Sequence, residues 1–176
     1  YFSRQTQSAK TESLTKLNLD KEYSVEIICY CLMPNHFHFL LKQITDNGIS
    51  EFMRKFSNSY TRYFNVKNKR IGPIFQGPFK SIRVETEQQL LHVSRYIHLN
   101  PYSSGIIKSI KEIQQYPYSS LPEYLGKANY SYCQKDIILN YFKKPGSYLD
   151  FIYGHAESQR ELARIKHSLL ENLETD

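Results

Sequence analysis

Two histidines one residue apart lie in an otherwise apolar run, YCLMPNHFHFLLKQ, at residues 30–43. Because alternate side chains of a β-strand point the same way, His36 and His38 are expected to share one face, with Phe37 and Phe39 on the other. Two imidazoles on one face of a strand form a chelating pair for a metal ion. The alternative is that one imidazole is hydrogen-bonded and the other is solvated.

A second candidate group lies in TEQQLLHVSRYIHLNP, where His92, Tyr96 and Asn100 recur every four residues and so share one side of a helix. A tyrosine with an amide one turn later, near two histidines, suggests metal-assisted attack on a phosphate. Only about 0.3% of ordinary tyrosine is phenolate at pH 7.5, a deficit of roughly 3.4 kcal/mol that a metal ion and nearby cations reduce. The alternatives are that Tyr96 packs or donates one hydrogen bond, and that His92 packs rather than orients the tyrosine.

The basic residues are concentrated in one part of the chain. The net charge is +6, yet residues 52–84 hold eight Lys or Arg and no acid, so the remaining residues sum to −2. Aromatic residues lie among these cations, as in surfaces where bases stack and phosphates pair with cations. The stretch therefore indicates single-stranded nucleic acid as a partner, and the alternative is an amphipathic helix with a solvated basic face.

Several classes of protein are disfavoured by composition. The 176 residues suit one domain with a sizeable core and an appended subdomain. No apolar run approaches the roughly 20 residues of a membrane span, and no signal-peptide pattern is present. The three cysteines form neither a C-x-x-C motif nor a disulfide framework, which favours a reducing cytoplasm.

The pattern of the chain predicts strands over residues 23–32 and 36–43, a helix over 49–64, a third strand over 79–85 (FKSIRVE) and a helix from 86 to about 99. Thr86 and Gln89 form a capping box, and Pro101 is expected to end this last helix. The order ββαβα is an α+β arrangement with helices against an antiparallel sheet. Further helices are predicted over residues 12–17, 134–142, 147–153 and 158–172.

Three separated motifs, YCLMPNHFHFLLKQ, GPIFQGPFKSIRVE and LLHVSRYIHLNP, resemble the IS200-like single-tyrosine (Y1, HUH-type) transposases, and among them the REP-associated tyrosine transposases. The family's His-hydrophobic-His motif matches His36 and His38, and its nucleophilic tyrosine matches Tyr96. The polar residue that completes the family's metal site, one turn later, matches Asn100. An aromatic-Ser-Ser stretch is matched by residues 118–120, with Tyr where Trp is more usual.

The resemblance implies a ferredoxin-like α+β catalytic domain over residues 1–125, in which the N-terminal strand is expected to be missing, and a helical extension over 126–176. It also implies cleavage and rejoining of single-stranded DNA. Tyr96 would attack the scissile phosphate, leaving a 5′-phosphotyrosine and a free 3′-OH. His36, His38 and Asn100 would hold Mg²⁺ or Mn²⁺, whereas imidazole ligands by themselves favour Mn²⁺ or Zn²⁺.

The partner implied by the resemblance is hairpin-forming single-stranded DNA in the bacterial cytoplasm, in association with the nucleoid and not with a membrane. Candidate DNA contacts are Arg70, Lys80, Arg83 and Arg95, although Arg95 alternatively caps its helix or pairs with an acid. The long C-terminal tail favours a monomer over a dimer. Two rival functions are an inactive, domesticated nucleic-acid-binding protein and a metal-dependent hydrolase in which water, not Tyr96, attacks.

Overall fold

The structure is a computed structural model that describes residues 23–173, with side chains described through residue 164 except at residue 145. In this range the elements are β1 (Val25–Leu32), β2 (Phe37–Gln43), α1 (Gly48–Asn68), α2 (Glu87–Ser103), a 3-10 helix (Ile110–Gln115), α3 (Leu121–Tyr124), α4 (Asp136–Leu139), α5 (Pro145–Tyr153) and α6 (Ala156–Leu173). The α+β class is confirmed. The helix predicted over residues 12–17 lies outside the described residues. None of the described helices combines the length and apolarity that a bilayer crossing requires.

The two strands form the predicted antiparallel hairpin. Its register places Cys31 opposite His38 and Leu32 opposite Phe37. Residues opposite each other point to the same side of a hairpin, so His38 faces the same side as the buried Cys31. The side that carries His36 and His38 is called the histidine face below, and the side that carries Phe37 and Phe39 is called the aromatic face.

The outer edge of β1 is covered by a later part of the chain. The N–H of Leu32 donates to the carbonyl of Tyr118 (2.8 Å), and the N–H of Ser120 donates to the carbonyl of Tyr30 (3.0 Å). Nearer the start of the strand, Ile28 is bulged out of register and its carbonyl accepts from the Tyr124 hydroxyl (2.7 Å). This edge therefore has hydrogen-bond partners without a further complete strand.

Residues 79–85 do not form a strand, and this prediction was wrong. Ile82 is 93% exposed, whereas Val84 packs against the core. A strand is held by hydrogen bonds to a neighbouring edge, and no backbone hydrogen bond joins this segment to a strand in the described range. Alternation of side chains does not reveal whether such an edge is available.

Helix α1 packs on the aromatic face. The Phe56 ring lies edge-on to those of Phe37 and Phe39, with centroids 5.1 Å away in both cases, and Phe52 lies 5.6 Å from Phe39. With 21 residues α1 is about 31 Å long, whereas the seven residues of β2 span about 24 Å. The end of the predicted apolar stripe therefore overhangs the sheet, and Tyr63 is 59% exposed.

Helix α2 begins with the predicted capping box. The Thr86 hydroxyl accepts from the N–H of Gln89 (3.1 Å), and the Gln89 side-chain oxygen accepts from the N–H of Thr86 (3.4 Å). Both contacts satisfy backbone donors that the first turn of a helix leaves without partners. The start of α2, and hence the phase of its side chains, is fixed locally by these two residues.

Helix α2 was predicted to end before Pro101, and this prediction was wrong, because the helix continues to Ser103. Proline removes only the hydrogen bond that its own N–H would make, and Pro101 is fully buried in the core. The helix is then closed by the N–H of Ser104, which donates to the Asn100 carbonyl (3.0 Å). Because Asn100 keeps helical geometry, its side chain stays on the same side of α2 as Tyr96.

The C-terminal helices pack on α2 and join the same hydrophobic core as the hairpin. Tyr148 and Ile152 of α5 and Ala156 of α6 are buried in the cluster that contains Cys29 of β1 and Leu99 of α2. The helices predicted over residues 134–142, 147–153 and 158–172 correspond to α4, α5 and α6. The described residues after 125 therefore help to fix the position of α2.

Candidate active site

The hairpin and α2 bring together three of the side chains predicted to do chemistry. The ring centroids of His36 and His38 are 4.9 Å apart, with the rings perpendicular, and those of His38 and Tyr96 are 5.6 Å apart in an edge-on arrangement. The histidine face of β2 is thus directed at the exposed side of α2. These residues come from two distant parts of one chain.

Both histidines are neutral at neutral pH. Desolvation by burial lowers the pKa of His36, and the same cause, with the nearby charge of His36, lowers the pKa of His38 to about 4. Nδ1 of His36 lies 2.7 Å from Oδ1 of Asn35. Since that oxygen only accepts, the proton of His36 is assigned to Nδ1, and Nε2 keeps its lone pair. A neutral imidazole with a free lone pair is the form that binds metals.

Two of the candidate metal ligands bury polar atoms that have no hydrogen-bond partner in the described residues, Nε2 of His38 and Nδ2 of Asn100. A buried polar atom without a partner costs about 1–3 kcal/mol. A buried polar atom without a partner requires an explanation, and one explanation is a bound ion that acts as the missing partner. If the amide of Asn100 is turned so that its oxygen takes the place of this nitrogen, the two residues offer donor types that suit a divalent cation.

No group of three or more His, Cys, Asp or Glu side chains in residues 23–173 is arranged to hold a metal ion. The candidate set contains only two such residues, His36 and His38, and its third member, Asn100, offers an amide. The metal-binding role of this set stays a prediction.

Tyr96 combines an accessible ring with a fixed backbone. Its side chain is 47% exposed, whereas the neighbouring Arg95 and Ile97 are buried. Nε2 of Gln159 on α6 donates to the carbonyl of Tyr96 (3.2 Å). A large substrate can therefore reach the phenol, while the C-terminal helix contacts the backbone that carries it.

A buried histidine that the sequence did not single out, His98, joins α2 to α5 and to Ser120, the residue before α3. Its Nδ1 lies 2.8 Å from the Tyr148 hydroxyl and its Nε2 lies 2.8 Å from the Ser120 hydroxyl. Tyr148 in turn donates to Ser94 (3.2 Å), which donates to the carbonyl of Leu91 (2.8 Å). With the proton of His98 on Nδ1 and the Ser120 hydroxyl donating to Nε2, each contact from Ser120 to Leu91 pairs one donor with one acceptor. The Ser120 proton then serves His98 and not the carbonyl of Tyr30, which lies 3.2 Å from the Ser120 oxygen. Burial lowers the pKa of His98 to about 3, so the ring is neutral.

The Tyr-Ser-Ser stretch has a structural explanation. Ser120 accepts from the N–H of Tyr30 (2.9 Å) while its hydroxyl contacts His98, and Ser119 pairs with Cys31 as an isolated bridge. The second serine therefore joins β1 to α2. The position of His98, one residue after Ile97 on the buried side of the helix, could have predicted its burial. Its hydrogen-bond partners could not be predicted, because they lie far away in the sequence.

Arg95 is not on an open surface. It is 7% exposed, and its guanidinium lies 4.5 Å above the ring of Phe151 on α5. It neither caps the helix nor pairs with an acid in the described residues, and its role in DNA binding stays a prediction. His92 is exposed, and its ring lies 6.5 Å from that of the same Phe151.

The other candidate DNA contacts, Arg70, Lys80 and Arg83, are exposed and belong to the irregular segment between α1 and α2. Phe75 of this segment packs on Phe37 of the aromatic face (5.5 Å), whereas Val84 lies beside Leu40 and the start of α2. The segment therefore passes from one face of the hairpin to the other. No contact in the described residues joins its basic side chains to Tyr96.

Comparison with known proteins gives one family. A family model described as "Transposase IS200 like" matches residues 3–100, which is 98 of the 176 residues. No match was found among curated proteins or among solved structures. The matched region contains the histidine face, the basic segment and α2 as far as Asn100. The chain belongs to the family of IS200-like transposases.

Proposed function

We propose that this transposase cleaves and rejoins single-stranded DNA through a covalent 5′-phosphotyrosine on Tyr96, with a divalent metal ion held by His36, His38 and Asn100. The observation that carries the proposal is that the ring of the exposed Tyr96 lies 5.6 Å from that of His38, which in turn lies 4.9 Å from that of His36. The unpaired buried atoms of His38 and Asn100 support it, since each of these residues keeps a polar atom without a partner in the described residues.

Each residue has a distinct role. Oη of Tyr96 attacks phosphorus, the bond from phosphorus to the 3′ oxygen breaks, and that oxygen leaves as a 3′-OH after taking up a proton. The hydrogen bond that His36 Nδ1 donates to Asn35 Oδ1 fixes the His36 ring, and the packing of His38 on Tyr96 keeps these rings together. Mg²⁺ or Mn²⁺, when bound, supplies positive charge that offsets the charge building on the phosphoryl oxygens.

The link to Tyr96 conserves the energy of the phosphodiester bond, so a 3′-OH from another strand can reverse the step and join DNA without a nucleotide cofactor. We infer that one chain is sufficient for this chemistry, because His38 and Tyr96 of the same chain are already in contact. This favours a monomer and, with the packed C-terminal helices, the REP-associated branch of the family. We also infer that the substrate is hairpin-forming DNA that contacts Arg70, Lys80 and Arg83.

The test is a denaturing gel after incubation with Mn²⁺ and labelled single-stranded hairpin DNA from the flanks of the gene. We expect a protein band that carries the label, and we expect Tyr96→Phe to abolish it. Tyr132→Phe is a matched control, because Tyr132 is 64% exposed and lies outside the site. Cleavage without a labelled protein band would indicate a hydrolase, and binding without cleavage would indicate an inactive DNA-binding protein. Either result contradicts the proposal.

A further inference from the structure

A second group of basic side chains surrounds one phenyl ring beside α2. The guanidinium carbon of Arg95 lies 4.5 Å from the ring centroid of Phe151. The ring of His92 lies 6.5 Å from it and the ring of His155, between α5 and α6, lies 6.4 Å from it. The group therefore combines two residues of the tyrosine helix with one contributed by the C-terminal helices.

The arginine of this group lacks the partner that a buried cation needs. Arg95 is 7% exposed, and its Nη1 has no hydrogen-bond partner in the described residues. Two ion pairs occur in that part of the chain, Lys42 with Glu26 and Lys55 with Glu51, and neither involves Arg95. The Phe151 ring favours a cation on its face but supplies no hydrogen-bond acceptor. The missing partner is therefore an acceptor, and an anion meets the need best.

Two exposed histidines flank the covered arginine. His92 and His155 are exposed, whereas Arg95 is nearly covered. An imidazole carries at least one N–H donor in either protonation state, so both rings can donate to an oxyanion. A planar guanidinium with donors on either side suits the tetrahedral oxygens of a phosphate. The group thus offers donors from three residues around one phenyl ring.

We propose that His92, Arg95 and His155 form a binding site for a phosphodiester of the bound single strand, close to the scissile phosphate. Arg95 and Tyr96 are consecutive on α2, so their side chains leave the helix roughly 100° apart, and His92 precedes Tyr96 by one turn. A strand whose scissile phosphate meets Tyr96 therefore has its neighbouring phosphates within reach of this site. The inference rests on the proposed function, and it assigns to the C-terminal helices one wall of the DNA path.

The test uses hairpin substrates in which one phosphate at a time, on either side of the scissile phosphate, is replaced by an uncharged methylphosphonate. With the unaltered protein we expect one flanking position at which the replacement slows formation of the covalent adduct by about 5- to 30-fold. His155→Ala and His92→Ala each remove one donor at an exposed position and so leave the fold intact. In each variant, the covalent adduct should form more slowly on the ordinary substrate. The rate should fall little further when the sensitive flanking phosphate is replaced by the methylphosphonate.

Arg164→Gln is the matched control, because it removes a charge from an exposed position of α6 away from Phe151. This variant should be slowed as much as the unaltered protein by a methylphosphonate at the one sensitive flanking position. The proposal is overturned if the unaltered protein is insensitive at every flanking position, or if the histidine variants lose the same factor at all positions. If no adduct forms at all, the proposed function fails. The phosphate site is then tested by equilibrium binding of the same DNA series. The histidine variants should weaken binding of the ordinary substrate, with little further loss when the sensitive phosphate is uncharged.

Discussion

Helix α2 carries two kinds of buried polar side chain, which differ in how completely they are hydrogen-bonded. Ser94 and His98 face α5, and their side-chain polar atoms all have partners. Arg95 and Asn100 of the same helix each bury one nitrogen without a partner in the described residues, and so does His38 opposite Tyr96. We call Ser94 and His98 the saturated set, and His38, Arg95 and Asn100 the unsaturated set.

The difference separates groups that hold the fold from groups kept for a ligand. A buried polar network with every member satisfied contributes stability and fixes the packing of its elements. A buried atom without a partner costs stability, and proteins retain such costs mainly where activity needs them. The saturated set should therefore be sensitive in unfolding experiments, and the unsaturated set in activity experiments.

The largest expected effect is on the saturated set. His98→Leu removes both hydrogen bonds of the ring and leaves the hydroxyls of Tyr148 and Ser120 short of a partner. We expect a loss of roughly 2–4 kcal/mol in the free energy of unfolding, since each buried group left unpaired costs about 1–3 kcal/mol. Urea denaturation followed by circular dichroism measures it. His92→Leu, at an exposed position of the same helix, should stay within about 0.5 kcal/mol of the unaltered protein. A loss below 1 kcal/mol for His98→Leu would contradict the structural role.

The reverse pattern is expected for the unsaturated set. Asn100→Leu keeps the number and branching of the side-chain heavy atoms and removes a buried nitrogen that has no partner, so the free energy of unfolding should stay the same or rise by about 1 kcal/mol. Formation of the covalent adduct should fall at least about 100-fold if the amide is a metal ligand, because even residues that only support ligands are worth about 10- to 100-fold. Parallel unfolding and adduct assays measure both. A loss of both stability and adduct formation would contradict this prediction, because Asn100 would then behave like a residue of the saturated set.

A smaller effect sharpens the comparison within the network. Tyr148→Phe keeps the ring and removes one hydroxyl that bridges His98 and Ser94. We expect a loss of about 1–2 kcal/mol in stability with little change in the rate of the adduct reaction per folded molecule. Combined with Ser94→Ala in a double-mutant cycle, the two changes should be non-additive by about 0.5–1 kcal/mol. Strict additivity would show that the two hydroxyls do not act together.

The smallest effect concerns the exposed basic segment, which belongs to neither set. Lys80→Gln should leave stability unchanged and weaken DNA binding a few-fold at low salt. If Lys80 neutralises one phosphate, the slope of log affinity against log salt should become shallower by about 0.7. Lys108→Gln, an exposed lysine after α2, serves as the control and should leave the slope unchanged. Equal slopes for both variants and the unaltered protein would remove Lys80 from the DNA surface.

Local patterns in the sequence were sufficient for much of the fold and for the shape of the site. The hairpin, the histidine face, the capping box of Thr86 and the shared side of Tyr96 and Asn100 follow from periods of two and of 3.6 residues. These features depend on residues that lie close together in the chain. They also carry the histidines and the tyrosine that the structure places in contact.

The parts that could not be predicted depend on distant contacts. Residues 79–85 alternate like a strand, but only a neighbouring edge makes a strand, and β1 is covered instead by Tyr118 and Ser120. Pro101 does not end α2, because its burial in the core outweighs one lost hydrogen bond. The partners of His98 and the burial of Arg95 against Phe151 depend on α5, which no local pattern connects to α2.

The measurement that tests the central claim most directly is peptide mapping of the protein after reaction with Mn²⁺ and single-stranded hairpin DNA. After nuclease and protease digestion, mass spectrometry locates any nucleotide that remains attached through a phosphate. We expect a single modified peptide in which Tyr96 carries the phosphate, and no modification in the His38→Ala protein. A phosphate on another of the 15 tyrosines, or complete cleavage of the DNA with every tyrosine unmodified, would contradict it.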